Sequence, residues 1–210
     1  MSLRLYAFWK SSASWRVRIG LHLKQQPFEL VPVNLAAGAD QHTAEHAARN
    51  PMRQVPVLEV SPGCYLSQSM AILAWLDKTF PEPRLFPEDP LWLARALQLA
   101  ETVNSGIQPF QNRSTVLRLE AHGIPSAPWV TEAIVAGLQG LEGAARETAG
   151  EWLVGDALSI AEVFLIPQLF SARGYGVDLS PYPTLLRIEE KCAVLPAFIA
   201  ARPEVQPDAL

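Results

Sequence analysis

Residues 8–16, Phe8-Trp9-Lys10-Ser11-Ser12-Ala13-Ser14-Trp15-Arg16, decide how the chain is read. They follow an apolar run, Leu3 to Phe8, and lead into a charged, apolar-rich segment ending near Lys24. If that segment is a helix, three serines crowd its start. Free backbone N–H groups, hydroxyls and the positive end of the helix dipole then converge on one small volume, which suits an anion or a thiolate. The plainer reading is that the serines only cap the helix. Periodicity does not choose a helix here: Trp15, Val17, Ile19, Leu21 and Leu23 alternate with Arg16, Arg18, Gly20, His22 and Lys24, a period of two that favours a strand.

Working outward, Leu3 to Phe8 reads as a buried strand and Phe28 to Val33 as a second, placed at a sheet edge by Pro32. Residues 37–50 read as a short, exposed helix that ends at Asn50-Pro51. Within it, His42-Thr43-Ala44-Glu45-His46 formally matches an inverted zinc-peptidase pattern, with both imidazoles on one helical face. The segment has almost no apolar side chains to anchor such a site, so it is read as a solvated face and no metal is assigned. Val55 to Val60, a turn at Ser61-Pro62-Gly63 and Cys64 to Leu66 form a hairpin. Ser67-Gln68-Ser69 then precede an apolar helix over Met70 to Leu76, and polar groups again gather at a helix start. The order β-α-β-α-β-β-α closes in a stretch containing Pro81, Pro83 and Pro87.

Beyond residue 88 helical spacing dominates, through Leu91 to Val103, Ile134 to Leu141, Ile160 to Leu165 and Leu185 to Leu195. Gly106 and Pro109 interrupt the pattern and put Gln108, Asn112 and Ser114 near a bend or a new helix start. Ser159-Ile160-Ala161-Glu162 is a capping box at the head of an apolar helix. Arg173, before Gly174-Tyr175-Gly176, is either half of a surface ion pair or a clamp for a substrate carboxylate.

The chain's 210 residues, 49% of them hydrophobic, suffice for one large domain or two modest ones. A formal charge of −4 provides no basic field for nucleic acid. No apolar run approaches the roughly 18 residues a membrane span needs, and Cys64 and Cys192 match no metal or redox spacing. A cytoplasmic, soluble protein with free thiols is expected.

Taken together, Ser11 to Ile19, Asn50-Pro51-Met52-Arg53-Gln54-Val55-Pro56, Gln68 to Ile72, Gly106 to Asn112, Val154-Gly155-Asp156 and Val177 to Thr184 resemble the zeta-class glutathione transferases. That family includes maleylacetoacetate isomerase and bacterial maleylpyruvate isomerase. The resemblance covers nearly the whole chain and implies an α/β plus all-α fold. A thioredoxin-like, glutathione-binding domain would span residues 1–82, and an all-helical C-terminal domain residues 83–210. It resolves residues 14–24 as helix and puts a cis peptide bond before Pro56, so that the Val55 backbone pairs with the cysteinyl part of glutathione. Residue by residue, it assigns Ser11 to the glutathione sulfur, with Ser12 and the backbone around Ala13 in the same pocket. Gln68 and Ser69 would hold the γ-glutamyl carboxylate and amine, and Gln41, Gln108, Asn112 and Ser114 would lie against glutathione or its surroundings.

The implied reaction is glutathione-dependent cis-trans isomerisation of a dicarboxylic diketo acid, by thiolate addition, bond rotation and elimination. Lys10 and Arg173 are the candidates to hold substrate carboxylates. A homodimer is implied as well. Ala13 stands where the family often has Cys, Lys10 where it often has Arg, and only Arg173 precedes the Val177 block, where arginine pairs are common. Displacement chemistry on a small α-halo acid and a noncatalytic binding module are the alternatives. Halide release with glutathione consumption marks the first of these, while Ser11, Gln68 and Ser69 argue against the second.

Overall fold

The computed structural model describes residues 3–35 and 40–209, which divide into two compact units, Met1–Arg84 with Val194–Leu210, and Leu85–Ala193. In the first unit β1 (Leu3–Ala7) leads through α1 (Ser12–Leu23) to β2 (Phe28–Pro32), and a 3-10 turn (Asp40–His42) and α2 (Ala44–Arg49) precede the hairpin β3 (Val57–Ser61) and β4 (Cys64–Ser67) and helix α3 (Ser69–Thr79). The sheet order is β2-β1-β3-β4, with β2 parallel and β3 antiparallel to β1, and β4 antiparallel to β3. This is the expected thioredoxin-like arrangement, with Pro32 on an edge strand where its missing N–H costs no ladder bond.

The register determines where the site lies. Tyr6 pairs with Val57 and Val57 with Ser67, so the end of β1, the start of β3 and the end of β4 share one end of the sheet. The chain therefore leaves β1 toward α1, enters β3 from Val55-Pro56, and leaves β4 toward α3, all at that end.

Helix α1 has hardly any solvent face: from Ser14 to Leu21 every residue is buried. It packs against α3 and, along another face, against α10 (Pro196–Ala201), which brings the 194–209 stretch into the first unit, whereas the sequence groups it with the second helical part. Close approach to α3 depends on Gly20, since a Cβ there would lie 2.2 Å from Leu73 Cδ2. At the C-terminus of α1, the fully buried Lys24 Nζ meets Asp77 Oδ1 of α3 at 2.6 Å and the Pro83 carbonyl at 2.5 Å. A buried cation is tolerable only with such partners.

The second unit is helical, as expected: α4 (Pro90–Asn104), α5 (Gln108–Gln111), α6 (Arg113–Ala121), α7 (Ser126–Thr148), α8 (Ile160–Gly174) and α9 (Pro183–Ala193). The Ser159/Glu162 capping box is present and heads the apolar helix α8. Glu162 also accepts the Leu153 N–H at 2.7 Å, so one buried carboxylate secures both the helix start and the loop before it. Glu142 of α7 accepts the Thr184 and Leu185 N–H groups, both at 3.2 Å, and thereby caps α9 from a neighbouring helix. Among the described residues no helix is long and apolar enough to cross a membrane. Cys64 is exposed and Cys192 buried, both as free thiols.

Candidate active site

Ser11 is the N-cap of α1, in extended conformation, and its Oγ accepts the Ser14 N–H at 3.2 Å. Because the cap uses an oxygen lone pair, the hydroxyl proton remains available to donate. The Trp15 N–H bonds the Ser11 carbonyl at 2.9 Å. Helix geometry directs the preceding Ser12 and Ala13 N–H groups out of the helix end, beside that hydroxyl. Three donors and a helix dipole therefore face one point, an arrangement that favours a thiolate over a thiol and fits the sulfur of glutathione. Lys10, exposed at the turn before Ser11, lies with Nζ 5.8 Å from the Trp9 ring centre.

The Val55–Pro56 peptide is cis, as the resemblance implies. The carbonyl just before it, Gln54 O, is held twice, by His46 Nε2 at 3.1 Å and Asn50 Nδ2 at 2.9 Å. Since a carbonyl only accepts, Nε2 carries the proton. His46 is thus a buried support for the peptide before Val55, which sequence reading missed. It is 1% exposed, contrary to the solvated face expected for it. His42 closes the 3-10 turn and α2 begins only at Ala44, so the two imidazoles do not share a helix face. The remainder of the helix expected from residue 37 lies at residues 37–39, outside the described residues.

Gln68, the N-cap of α3, has φ +70°, a left-handed conformation unusual for a residue with a side chain, and Ser69 behind it is buried. Arg16 of α1, fully buried, donates from Nη1 to Ser69 Oγ at 3.4 Å. A cation held beneath the start of α3 adds to the helix dipole in favouring a carboxylate there. Gln41, in the 3-10 turn, has a buried Oε1 with no hydrogen-bond partner among the described residues, an acceptor suited to an N–H group of a ligand. Shared sheet register thus collects the Ser11, Val55 and Gln68–Ser69 segments at one end of the first unit.

In the second unit Gln108 begins α5 and is half-buried. Asn112 caps α6, with Oδ1 accepting the Ser114 N–H at 3.0 Å and the Ser114 hydroxyl at 3.1 Å. Its Nδ2 is the group left to donate elsewhere. Arg173 makes a two-pronged ion pair with Glu189 of α9, both contacts at 2.5 Å, and this pairing raises its pKa. The structure thus shows the ion-pair reading of Arg173, with its fork engaged by a protein carboxylate.

Residues 1–78 match the glutathione S-transferase N-terminal domain family and residues 44–201 the C-terminal domain family. The chain is 43% identical to rat (Rattus norvegicus) maleylacetoacetate isomerase over 205 residues, 97% of this chain and 94% of that one. It belongs to the zeta-class glutathione S-transferases. Among solved structures, maleylacetoacetate isomerase from Anaeromyxobacter dehalogenans 2CP-1 with bound glutathione superposes with a TM-score of 0.90 at 50% identity, covering 100% of this chain and 98% of that one. Another structure of that protein holds dicarboxyethyl glutathione and citrate (TM-score 0.88, 47% identity, coverage 100% and 98%). The holo structure of a bacterial zeta-class maleyl pyruvate isomerase superposes with a TM-score of 0.93 at 35% identity, covering 99% of this chain and all of that one.

Proposed function

We infer that this zeta-class transferase is a glutathione-dependent cis-trans isomerase of maleylacetoacetate or maleylpyruvate, acting on a small dicarboxylic diketo acid. The observation that carries the reading is the start of α1, where the Ser11 hydroxyl is fixed as a cap with its proton free to donate beside two outward-facing N–H groups. Bound glutathione would supply a nucleophilic thiolate for reversible addition across the cis double bond, which permits rotation about the resulting single bond. Dicarboxyethyl glutathione, held by the A. dehalogenans relative, is the kind of adduct such an addition to a butenedioic acid gives.

The chain's residues divide the remaining work. Ser11, with Ser12 and the Ala13 backbone, stabilises the sulfur anion, and each unit of thiol pKa depression corresponds to about 1.4 kcal/mol. Val55, presented by the His46 and Asn50 contacts to Gln54, offers its backbone to the cysteinyl part. Gln68 and Ser69, above Arg16, take the γ-glutamyl end, and Gln41 offers its buried acceptor. Gln108, Asn112 and Ser114 complete the proposed set.

Lys10 is the first candidate for a substrate carboxylate, because Arg173 would have to exchange Glu189 for substrate to do the same. Ala13 and Lys10 remove a thiol and a guanidinium fork without touching the Ser11 arrangement. We further propose that the enzyme works as a cytoplasmic homodimer. Sedimentation at twice the 23.1 kDa chain mass supports the dimer, and the mass of one chain refutes it.

S-methylglutathione separates this reading from a binding module. It should occupy the site, inhibit competitively and support no isomerisation. Turnover with the S-methyl compound would overturn the thiolate role. Halide release from a small α-halo acid, with no isomerisation of either diketo acid, would move the assignment to displacement chemistry.

A further inference from the structure

The turn that delivers Ser11 is gripped from outside at its corner. Ser11 N–H bonds the Phe8 carbonyl at 3.0 Å, which makes Trp9 and Lys10 the two corner residues. Both peptide groups of Trp9 are engaged, one by the C-terminal segment and one by α1: its N–H donates to Asp208 Oδ2 at 3.1 Å, and its carbonyl accepts from Arg18 Nη2 at 2.9 Å. Arg18 is fully buried in α1 and also donates from Nε to Ala201 O, the last carbonyl of α10, at 3.0 Å. One guanidinium thus joins the C-terminus of α10 to the corner of the turn.

The segment after α10 is built to bring Asp208 there. Pro203 is buried, and Gln206 Nε2 donates to two carbonyls, Ala200 O at 3.0 Å and Arg202 O at 2.8 Å. The Ala209 N–H then closes on Gln206 O at 3.0 Å. Two buried atoms of opposite charge, Arg18 Nη1 and Asp208 Oδ1, have no hydrogen-bond partner among the described residues. Burial pulls the Arg18 pKa down to about 10 against the opposing pull of Asp208 and Glu204. Arg18 is wholly buried and Asp208 half-buried, so both contacts to Trp9 are shielded from water.

We propose that Arg18 and Asp208 clamp the two peptide groups of Trp9 and so set the position of the Ser11 hydroxyl, making the segment after α10 a positioning element of the thiolate site. The inference rests on the proposed role of Ser11, but the clamp itself can be measured without it. Asp208→Ala removes the acceptor, Asp208→Asn keeps an oxygen for the Trp9 N–H, and Gln206→Ala loosens the segment without touching Trp9.

Hydrogen–deuterium exchange of the Trp9–Ser12 amides and the ultraviolet titration of the bound glutathione thiol are the readouts, with turnover as a third. The clamp predicts that Asp208→Ala speeds exchange at this turn at least fivefold. It should also shift the bound thiol equilibrium three- to tenfold toward the protonated form and lower turnover by a similar factor. Asp208→Asn should restore most of each effect, and Gln206→Ala should act in the same direction more weakly. A lowered melting temperature with unchanged local exchange and unchanged thiol titration would overturn the proposal. If wild-type protein fails to bind glutathione, the functional reading falls, while unaltered exchange in Asp208→Ala would separately remove the clamp. Should Asp208→Ala not fold, the contrast between Asp208→Asn and Gln206→Ala decides, and no difference between them counts against it.

Discussion

On the proposed function Ser11 has two tasks for one hydroxyl, and they separate by comparing Ser11→Ala with Ser11→Gly. As cap, Oγ satisfies the Ser14 N–H at 3.2 Å. Losing a serine cap to alanine costs about 1 kcal/mol, but losing it to glycine only a few tenths. For a chain of this size 1 kcal/mol corresponds to about 2–4 °C in melting temperature. The thiolate task depends only on the hydroxyl, and a hydrogen bond to a charged group contributes about 1.5–3 kcal/mol, roughly 10- to 150-fold in a rate or an equilibrium. Both variants should therefore lose turnover by at least tenfold, and the bound thiol pKa should rise by about one to two units in each. Only Ser11→Ala should lose appreciable thermal stability. Ultraviolet titration of bound glutathione, isomerisation kinetics and thermal unfolding on the same preparations give the three numbers. Turnover that falls with melting temperature, so that Ser11→Gly stays near wild type, would leave Ser11 as a cap alone.

Other consequences follow from single contacts. Burial opposes charge on Glu142, but hydrogen bonds from Thr184, Arg146 and Leu185 outweigh it and hold its pKa below the ordinary glutamate value. Its contribution is therefore present above the unfolded-state pKa and lost as pH falls through the lower folded value, and Glu142→Gln should flatten that part of an acid-unfolding curve. Gly20→Ala places a methyl 2.2 Å from Leu73 Cδ2, so α3 or the Leu73 rotamer must shift, at about 1–3 kcal/mol in denaturant unfolding. Gln68→Ala keeps the backbone strain at φ +70° and removes the amide; calorimetry should show glutathione affinity falling about tenfold with little change in turnover at saturation.

Strands were the most legible part of the sequence. The runs at Leu3, Phe28, Val55 and Cys64 lie within two residues of the observed strands, because a sheet covered by helices leaves β-branched runs bounded by turn residues. Helix α1 was not legible by period, for a physical reason. Buried from Ser14 to Leu21 by several neighbours, it shows no polar stripe, and Arg16 and Arg18 look solvated in sequence while being fully buried against Ser69, Trp9 and Ala201. His46 misled in the same way, since nothing local says that its imidazole will reach Gln54 O. The Ser11, Val55–Pro56 and Gln68–Ser69 motifs were readable one by one. Their convergence depends on strand register, and the return of Asp208 to Trp9 spans 199 positions without a local signature.

Whether a glutathione thiolate is used and returned in an isomerisation can be read from a single experiment. Initial rates of ultraviolet-monitored isomerisation of maleylpyruvate and of maleylacetone, a stand-in for maleylacetoacetate, are followed from zero glutathione upward, with total thiol assayed at the end. Thiolate catalysis gives no enzymic rate without glutathione, a saturable rise with it, and unchanged thiol after many turnovers. A rate independent of glutathione, or thiol lost one for one with substrate, would contradict it.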